Sequence, residues 1–379
     1  MNFEEHAAKP LLKRFRVAVP EGRLARSPVE AAEAAEAIGP CVVKAQAPTG
    51  KRGKAGGIKL AASPEEARAH AESIIGMEIG EWPIEKVLIE AQTPFTRELY
   101  AAIINDTASR GPMLLFSPMG GMDVEEAAEQ DPSAMRHLEI PFTTGLDAVT
   151  ARKAIDGLGL DAVTDELILT LIGLYKAYRA LDAELIEINP LVITNDNKVV
   201  ALDCKLTVDD SAAPRQEEIM PLGAGDKQTG LEAKAAEAGL KYIELGGSVG
   251  VLANGAGLTM TTMDVIAHYG GKPSNFLEIG GEAYTKAKVA LSILLENPNI
   301  KSLLVNFCGA FARTDVMAEG VVNAWEELKP DIPVFFTIHG TGEDEAVAIV
   351  RERLGIEPYD LMDDAVKAAV AAANERATA

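Results

Sequence analysis

Residues 249–279 read VGVLANGAGLTMTTMDVIAHYGGKPSNFLEI, and they carry the alternation that decides the fold class. A predicted strand at 249–253 leads through a glycine-rich turn into a helix at about 259–269 and then into a strand at 275–279. The pattern continues with predicted strands at 302–307 and 333–338 and predicted helices at about 285–296, 316–328 and 343–354. Such alternation predicts an α/β fold with a parallel sheet, whose ligands bind beyond the carboxyl ends of the strands.

The chain before about residue 210 has a different organisation. Two segments, at 27–30 and 63–66, read S-P-x-E, which is typical of a capped helix start. Strand-like runs and a predicted hairpin at 184–203 surround a long helix at about 164–181. Residues 211–232 hold few strand-like runs and several turn formers. We therefore predict two domains, 1–235 and 236–379.

Composition excludes several classes of protein. The 379 residues carry a formal net charge of −21 at neutral pH. This charge argues against a nucleic-acid binder and against docking on an anionic membrane, since both need a basic face. We see no secretory signal and no apolar stretch of the roughly 20 residues that span a bilayer. We therefore expect a cytoplasmic protein whose three scattered cysteines, Cys41, Cys204 and Cys308, are buried thiols.

A basic loop follows the strand predicted at 41–45. Lys44 lies in that strand, and residues 49–57 read TGKRGKAGG. Glycines let backbone amides approach an anion while the cations supply charge, so the pattern is typical of a phosphate cradle. It is not a Walker A loop, because Pro48 and Ala55 stand where that motif requires Gly and Ser or Thr. An exposed, flexible basic loop is the alternative.

Acidic residues mark the ends of several predicted strands. Glu90 ends one strand and Glu98 opens the next. Glu187 and Asn189 share one face of a strand because side chains alternate, and the hairpin partner is predicted to end at Asp203, within reach of that face. A carboxylate with an amide oxygen suits Mg²⁺, which keeps few protein ligands. Ordinary charged strand ends are the alternative.

The turn at 250–258, GVLANGAGL, is a third candidate. A strand, a glycine turn and a helix start present free backbone amides and the positive end of the helix dipole, which favours an anion site. The alternative is that these glycines serve only the geometry of the turn.

Together these motifs resemble one family. They match it in order and spacing over nearly the whole chain: MNFEEHAAKPLL (1–12), VVKAQAPTGKRGKAGGIKL (42–60), VLIEAQTPFTRELY (87–100), SPMGGMDVEE (117–126), AELIEINPLVITNDNKVVALDCKL (183–206), the turn and helix quoted above, and LLVNFCGAFARTDVMAEG (303–320). The sequence resembles the β subunits of succinyl-CoA synthetase (succinate–CoA ligase, ADP-forming), which are ATP-grasp proteins. The resemblance implies a two-lobed ATP-grasp domain at 1–235, with its small lobe inserted at about 20–95. A flavodoxin-like, doubly wound CoA-ligase domain would follow at 236–379.

The resemblance also implies roles for individual residues. ATP binding falls on Lys44, Lys51, Arg52, Gly53, Glu90, Thr93 and Glu98. Mg²⁺ binding falls on Asn189 and Asp203, and contacts to the carboxylate substrate fall on Asn254, Ala310, Phe311 and Ala312. Glu187 matches the family glutamate that stabilises a phosphohistidine.

The reaction that the resemblance implies has three steps. ATP phosphorylates a histidine of a partner α subunit, the phosphoryl group moves to the acid, and coenzyme A attacks the acyl phosphate to give the thioester. None of the five histidines of this chain lies in a matching phosphohistidine motif. We therefore expect an α subunit to be required, in an αβ or α2β2 heteromer.

Several residues depart from the family pattern near the acid. Cys308-Gly309-Ala310-Phe311 stands where F-G-G-I is usual, and Thr337-Ile338-His339-Gly340 stands where Arg-Leu-Glu-Gly is usual. Succinate is the default acid. The alternatives are malate, citrate, as in the citryl-CoA synthetase and ATP-citrate lyase group, or a small sulfo-carboxylate. A non-catalytic nucleotide-binding subunit and an ATP-grasp ligase that acts alone are alternatives of other classes.

Overall fold

A computed structural model describes most of the chain, in two compact units. The described residues are 1–50, 52–121, 135–225, 227–280 and 283–378. The units are Met1–Asp226 and Lys227–Ala379. Within the described ranges, no helix is long and apolar enough to cross a bilayer. Lys51, which the resemblance assigns to ATP binding, lies outside the described residues.

Strands in the first unit build two main sheets. They are β1 (Asn2–Phe3), β2 (Gly22–Ala25), β3 (Cys41–Ala45), β4 (Ile58–Ala61), β5 (Glu78–Ile79), β6 (Trp82–Pro83), β7 (Val87–Ala91), β8 (Phe95–Asp106), β9 (Gly111–Ser117), β10 (Arg136–Glu139), β11 (Ala183–Thr194), β12 (Val199–Ala201) and β13 (Lys205–Val208). The larger sheet is antiparallel, in the order β1-β13-β11-β8-β9-β10 with β12 beside β11, and the smaller has the order β2-β7-β3-β4. The two short strands β5 and β6 pair with each other outside these sheets.

Helices cover both sheets of this unit. They are α1 (Glu5–Lys13), α2 (Pro28–Ile38), α3 (Pro64–Ile74), α4 (Ala148–Ile155) and α5 (Thr164–Ala180). The two S-P-x-E helix starts are confirmed, since Ser27 and Ser63 each accept a hydrogen bond from the backbone amide three residues later. Helices α1, α4 and α5 share one apolar core with the larger sheet, while α2 and α3 pack on the smaller sheet. The unit therefore has the expected two lobes.

The predicted hairpin forms, but its second strand ends earlier than expected. β12 pairs with the second half of β11 and stops at Ala201, and β13 then pairs with the first half of β11. Asp203 therefore lies between two short strands. At this interruption of the ladder, the carbonyl of Leu202 accepts hydrogen bonds from the ammonium groups of Lys9 and Lys44.

The second unit contains a separate sheet and its helices. Its elements are α6 (Gly230–Glu237), β14 (Tyr242–Glu244), β15 (Val249–Ala253), α7 (Ala256–His268), β16 (Asn275–Leu277), α8 (Ala283–Glu296), β17 (Ser302–Gly309), α9 (Thr314–Leu328), β18 (Val334–Gly340), α10 (Glu343–Leu354) and α11 (Met362–Thr378). Helix α6 spans the predicted boundary at 235 and packs in this unit through Ala235.

The centre of this sheet is parallel and wound with helices on both faces. β15, β17 and β18 pair in parallel, and β16 joins the other side of β15 through isolated parallel bridges. Val305 faces a core shared with α8, α9 and α10, whereas Leu304 faces a core shared with α7 and α11. The predicted doubly wound α/β fold is confirmed. The strand order reverses between β15 and β17, and ligands of such sheets bind at that point.

Candidate active site

The first unit contains a cleft of about 1120 Å³, lined by residues from both of its main sheets. Most of the site residues that were predicted for this unit line it. They are Lys44, Arg52, Gly53, Glu90, Thr93, Glu187, Asn189 and Asp203. They come from different elements: β3 carries Lys44, β7 carries Glu90, and β11 carries Glu187 and Asn189. The fold thus brings together residues that are up to about 160 positions apart in sequence.

Lys44 lies at the centre of a buried group of charges. Its Nζ donates to Glu90 Oε1 at 2.6 Å, to Glu5 Oε1 at 2.9 Å and to the carbonyl oxygen of Leu202 at 2.6 Å. The three donors of the ammonium group are therefore all used. Its side chain is only 9% exposed, so these contacts are made almost out of water.

Arg52 brings the basic loop into the same group. Its Nη2 donates to Asp203 Oδ1 at 2.6 Å, and its Nη1 donates to the carbonyl oxygen of Ala45 at 3.0 Å and lies 2.7 Å from Glu5 Oε2. Arg52 is buried, whereas the neighbouring Gly53 and Lys54 are exposed. The loop is therefore anchored at its arginine, which argues against the alternative of an entirely solvated basic loop.

Glu5 and Lys9 belong to this group although they were not among the predicted site residues. Lys9 Nζ lies 2.7 Å from Glu5 Oε1, pairs with Glu90 Oε2 and donates to the carbonyl of Leu202 at 2.7 Å. Lys44, Glu5, Lys9 and Glu90 thus form a closed ring of alternating charges, which we call the ion-pair ring. An acid and a base four residues apart on the first helix were its only signal in the sequence.

Burial disfavours the charges of Glu5 and Lys44, and their ion pairs outweigh it. Burial alone would raise the pKa of Glu5, but Lys44, Lys9 and Arg52 hold that pKa well below its usual range. Burial alone would lower the pKa of Lys44, but Glu5 and Glu90 raise it. Glu5 and Lys44 are therefore both charged at neutral pH.

Asn189 and Asp203, the predicted Mg²⁺ ligands, both line the cleft. Asn189 Oδ1 accepts from the amide of Gly121 at 2.8 Å, and Asp203 Oδ1 accepts from the amide of Cys204 at 2.8 Å as well as from Arg52. No group of three or more His, Cys, Asp and Glu side chains in the described part of the chain is placed to hold a metal. One carboxylate with one amide oxygen fits the few protein ligands that Mg²⁺ keeps.

Gly121 joins this pair to Glu98, whose pKa is raised by burial. Gly121 has a φ of +73°, and a Cβ there would collide with the Glu98 carboxylate. The resemblance implies that Glu98 binds ATP; on that assignment we predict that Gly121→Ala raises the KM for ATP about tenfold, the equivalent of about 1.4 kcal/mol, because it displaces Glu98 and loosens Asn189. Steady-state kinetics of the complete enzyme measure this effect.

The matched control is Gly39→Ala. Gly39 also has a positive φ, +87°, but a Cβ there meets nothing within 4 Å. It therefore reports the backbone cost alone, about 1–3 kcal/mol of stability. Equal KM values for the two variants would show that the contact with Glu98 is without consequence.

In the second unit, Asn254 and Cys308 meet at the point where the strand order reverses. Asn254 Nδ2 donates to the carbonyl oxygen of Cys308 at 2.8 Å, and the Cys308 amide donates to Asn254 Oδ1 at 2.8 Å. The amide group of Asn254 thus fastens the ends of β15 and β17 together. Helix α7 begins two residues later and presents its N-terminus to the same edge.

The residues after β17 are open to solvent. Ala310 and Phe311 are exposed and Ala312 is half-buried. Cys308 is also exposed, so the prediction of three buried thiols is wrong for this residue. Its strand continues past the apolar core to the carboxyl edge of the sheet. There it is the register neighbour of His339 on β18, whose Nδ1 lies 3.4 Å from Glu343.

Comparison with protein families gives two matches. The model of the ATP-grasp domain family matches residues 2–193. The model of the CoA-ligase family matches residues 252–372. The first match covers most of the elements that line the cleft but ends before Asp203 and β13, and the second begins within β15 and covers the rest of the parallel sheet with its carboxyl edge.

Comparison with individual proteins extends over the whole chain. The succinate–CoA ligase (GDP-forming) subunit beta of Thermus thermophilus is 40% identical, over 98% of each chain. The succinate–CoA ligase (ADP-forming) subunit beta of Chloroflexus aurantiacus is 41% identical, over 99% of this chain and 100% of its own. Among solved structures, ATP citrate lyase from Methanothrix soehngenii in complex with citrate and coenzyme A has a TM-score of 0.76 over 98% of this chain and 99% of its own. At 24% identity, this structural likeness shows a shared fold and nothing more.

Proposed function

Because this chain belongs to the family of succinate–CoA ligase β subunits and is an acid–thiol ligase, we propose that with an α subunit it joins a small carboxylic acid to coenzyme A. ATP would be cleaved in the reaction, so that acid, ATP and coenzyme A give acyl-CoA, ADP and phosphate. The complex would work in the cytoplasm, where all three substrates are available.

The observation that carries this proposal is the pair of buried cations in the cleft. Carboxylates and backbone carbonyls hold the charges of Lys44 and Arg52 out of water beside the cleft. In phosphoryl transfer a protein contributes mainly positioning and stabilisation of charge. Nucleotide phosphates would take the place of part of the carboxylate contacts, and Gly53, Thr93 and Glu98 would bind the remainder of the nucleotide.

Asn189 and Asp203 would hold a Mg²⁺ ion beside these cations. When bound, Mg²⁺ neutralises charge on the transferred phosphoryl group. Asp203 would then exchange its contact with Arg52 for the metal, which would leave the guanidinium of Arg52 available to a phosphate oxygen.

The phosphoryl acceptor is proposed to be a histidine of the α subunit, since no histidine of this chain lies in a phosphohistidine motif. Glu187, which lines the cleft, would stabilise the partner's phosphohistidine. The acid would then attack phosphorus and break the P–N bond. The thiol of coenzyme A would attack the acyl phosphate and release phosphate, with the proton of the thiol passing to solvent.

The acid is proposed to bind at the carboxyl edge of the parallel sheet, against Asn254 and residues 310–312. The N-terminus of α7 supports this placement because it favours an anion. Succinate is the proposed acid, as in the names of the relatives. Malate, citrate and a small sulfo-carboxylate are the alternatives.

The proposal is tested with the α subunit encoded nearest to this chain, co-expressed and purified with it. The complex is given ATP or GTP, coenzyme A, Mg²⁺ and each acid of a panel of dicarboxylates, tricarboxylates and sulfonates. We expect succinyl-CoA and ADP in equal amounts, and none when either subunit is omitted. Failure to form a thioester from every acid of the panel would overturn the proposal.

A further inference from the structure

We propose that Lys9 is a positioning residue of the nucleotide site, where it keeps Glu5 and Glu90 neutralised when Lys44 turns towards a phosphate. The inference rests on the proposed function, since it assumes that Lys44 binds nucleotide phosphates. It concerns a side chain that does not itself touch the ligand. Lys9 is 4% exposed, and it is not among the residues that line the cleft.

The contacts show two ammonium groups that share the same acceptors. Lys44 and Lys9 each approach Glu5 Oε1, one oxygen of Glu90 and the carbonyl oxygen of Leu202. All three donors of Lys44 are occupied in this state. Lys44 can therefore donate a hydrogen bond to a phosphate only if it releases one of these three acceptors.

The electrostatic consequence falls on the carboxylates that Lys44 leaves behind. Glu5 and Glu90 are buried, and an unpaired charge in such surroundings is strongly unfavourable. Lys9 already contacts both of them from its own side of the ion-pair ring, and Arg52 also contacts Glu5, so Glu90 is the carboxylate that depends most on Lys9. With Lys9 present, Lys44 can turn to the nucleotide while each carboxylate keeps a cation.

The position of Lys9 is set by the backbone of helix α1, which both lobes hold in place. Helix α1 packs into the core of the larger lobe through Leu11 and Leu12, whereas β3, which carries Lys44, belongs to the smaller lobe. The first turn of α1 is tied to the smaller lobe as well. The amide of His6 donates to Gln46 Oε1 at 2.9 Å, and Glu4 pairs with Lys86 at 2.6 Å. Lys9 therefore stays in place when Lys44 moves.

The test compares Lys9→Met with Lys9→Arg and with the double variant Lys9→Met/Glu90→Gln, all in the full chain with its α subunit. Affinity for Mg-ATP is measured by calorimetry, and the rate of partner phosphorylation is measured at saturating Mg-ATP. We expect Lys9→Met to weaken binding on the order of 100-fold and to change the saturated rate less than threefold. Lys9→Arg and the double variant should each regain at least tenfold, because they restore the charge balance.

The control and the contrary outcomes are distinct. Lys13→Met removes an exposed lysine one turn further along α1 and should bind Mg-ATP like the wild type. If Lys9→Met does not fold, Lys9→Gln, which keeps hydrogen-bond donors, replaces it. The same loss of Mg-ATP affinity is expected. The inference is overturned if Lys9→Met (or Lys9→Gln) binds Mg-ATP within threefold of the wild type. It is also overturned if the double variant binds Mg-ATP no more tightly than Lys9→Met. A wild-type complex that binds no nucleotide overturns the proposed function instead.

Discussion

Lys44→Met is expected to lower the rate of phosphorylation of the α subunit by Mg-ATP about 1000-fold, even at saturating nucleotide. Lys44 is the buried cation that the smaller lobe places at the wall of the cleft, and it would stabilise charge on the transferred phosphoryl group. Removing it also leaves two buried carboxylates with Lys9 as the one ammonium of the ion-pair ring. We therefore expect a loss of stability of about 3–5 kcal/mol as well.

The two effects are separated by the choice of variants. The control variant is Lys59→Met. Lys59 lies on the neighbouring strand β4 and contacts Ser73 near the surface, so this variant should keep normal activity. Rapid-quench measurement of the phosphorylated α subunit gives the rate, and thermal unfolding of the same samples gives the folded fraction. A folded Lys44→Met complex that phosphorylates its partner at the normal rate would contradict the assignment.

Asp203→Asn is expected to have the second largest effect. The change keeps the shape of the side chain and one acceptor oxygen but removes the charge that faces Arg52 and would bind Mg²⁺. We expect the phosphorylation rate to fall about 100-fold, and the Mg²⁺ concentration for half-maximal rate to rise at least tenfold. A Mg²⁺ titration at fixed ATP measures both quantities.

Asp196→Asn provides the control for this variant. Asp196 lies in the exposed turn at the other end of the same hairpin, where it pairs with Thr194 and Lys198. Its removal should leave the Mg²⁺ dependence unchanged. If Asp203→Asn shows the Mg²⁺ dependence of the wild type, Asp203 is a structural partner of Arg52 and does not hold the metal.

The parts of the fold that the sequence predicts correctly depend on local patterns. The helix starts at Ser27 and Ser63 follow from a cap that reads over four residues. The parallel sheet follows from the alternation of apolar strands with helices after residue 249. Both patterns act within a short stretch of chain, so no knowledge of distant partners is needed.

The ion-pair ring could not be predicted because its contacts are distant in sequence. Glu5 pairs with Lys44, 39 residues away, and Lys9 pairs with Glu90, 81 residues away. A glutamate and a lysine four residues apart also occur on solvated helix faces, where such a pair contributes only a few tenths of a kcal/mol. What turns this pair into part of a site is the packing of one lobe against the other.

Two further differences have the same origin. The run at 199–203 is predicted as one strand, but β12 stops at Ala201. The carbonyl of Leu202 accepts hydrogen bonds from two ammonium groups instead. Cys308 lies near the end of an apolar strand. Its thiol is exposed because β17 extends beyond the apolar core. Such details depend on what lies beside the strand and not on the strand itself.

We propose that this chain binds Mg-ATP in its cleft and passes the γ-phosphoryl group to the α subunit. The most direct test mixes the wild-type complex with γ-labelled ATP and Mg²⁺, without acid or coenzyme A, and separates the subunits. We predict base-stable, acid-labile label on the α subunit alone, and its discharge by coenzyme A together with the acid. Label on this chain, whose His137 lines the cleft, or no label on either subunit, would contradict the account.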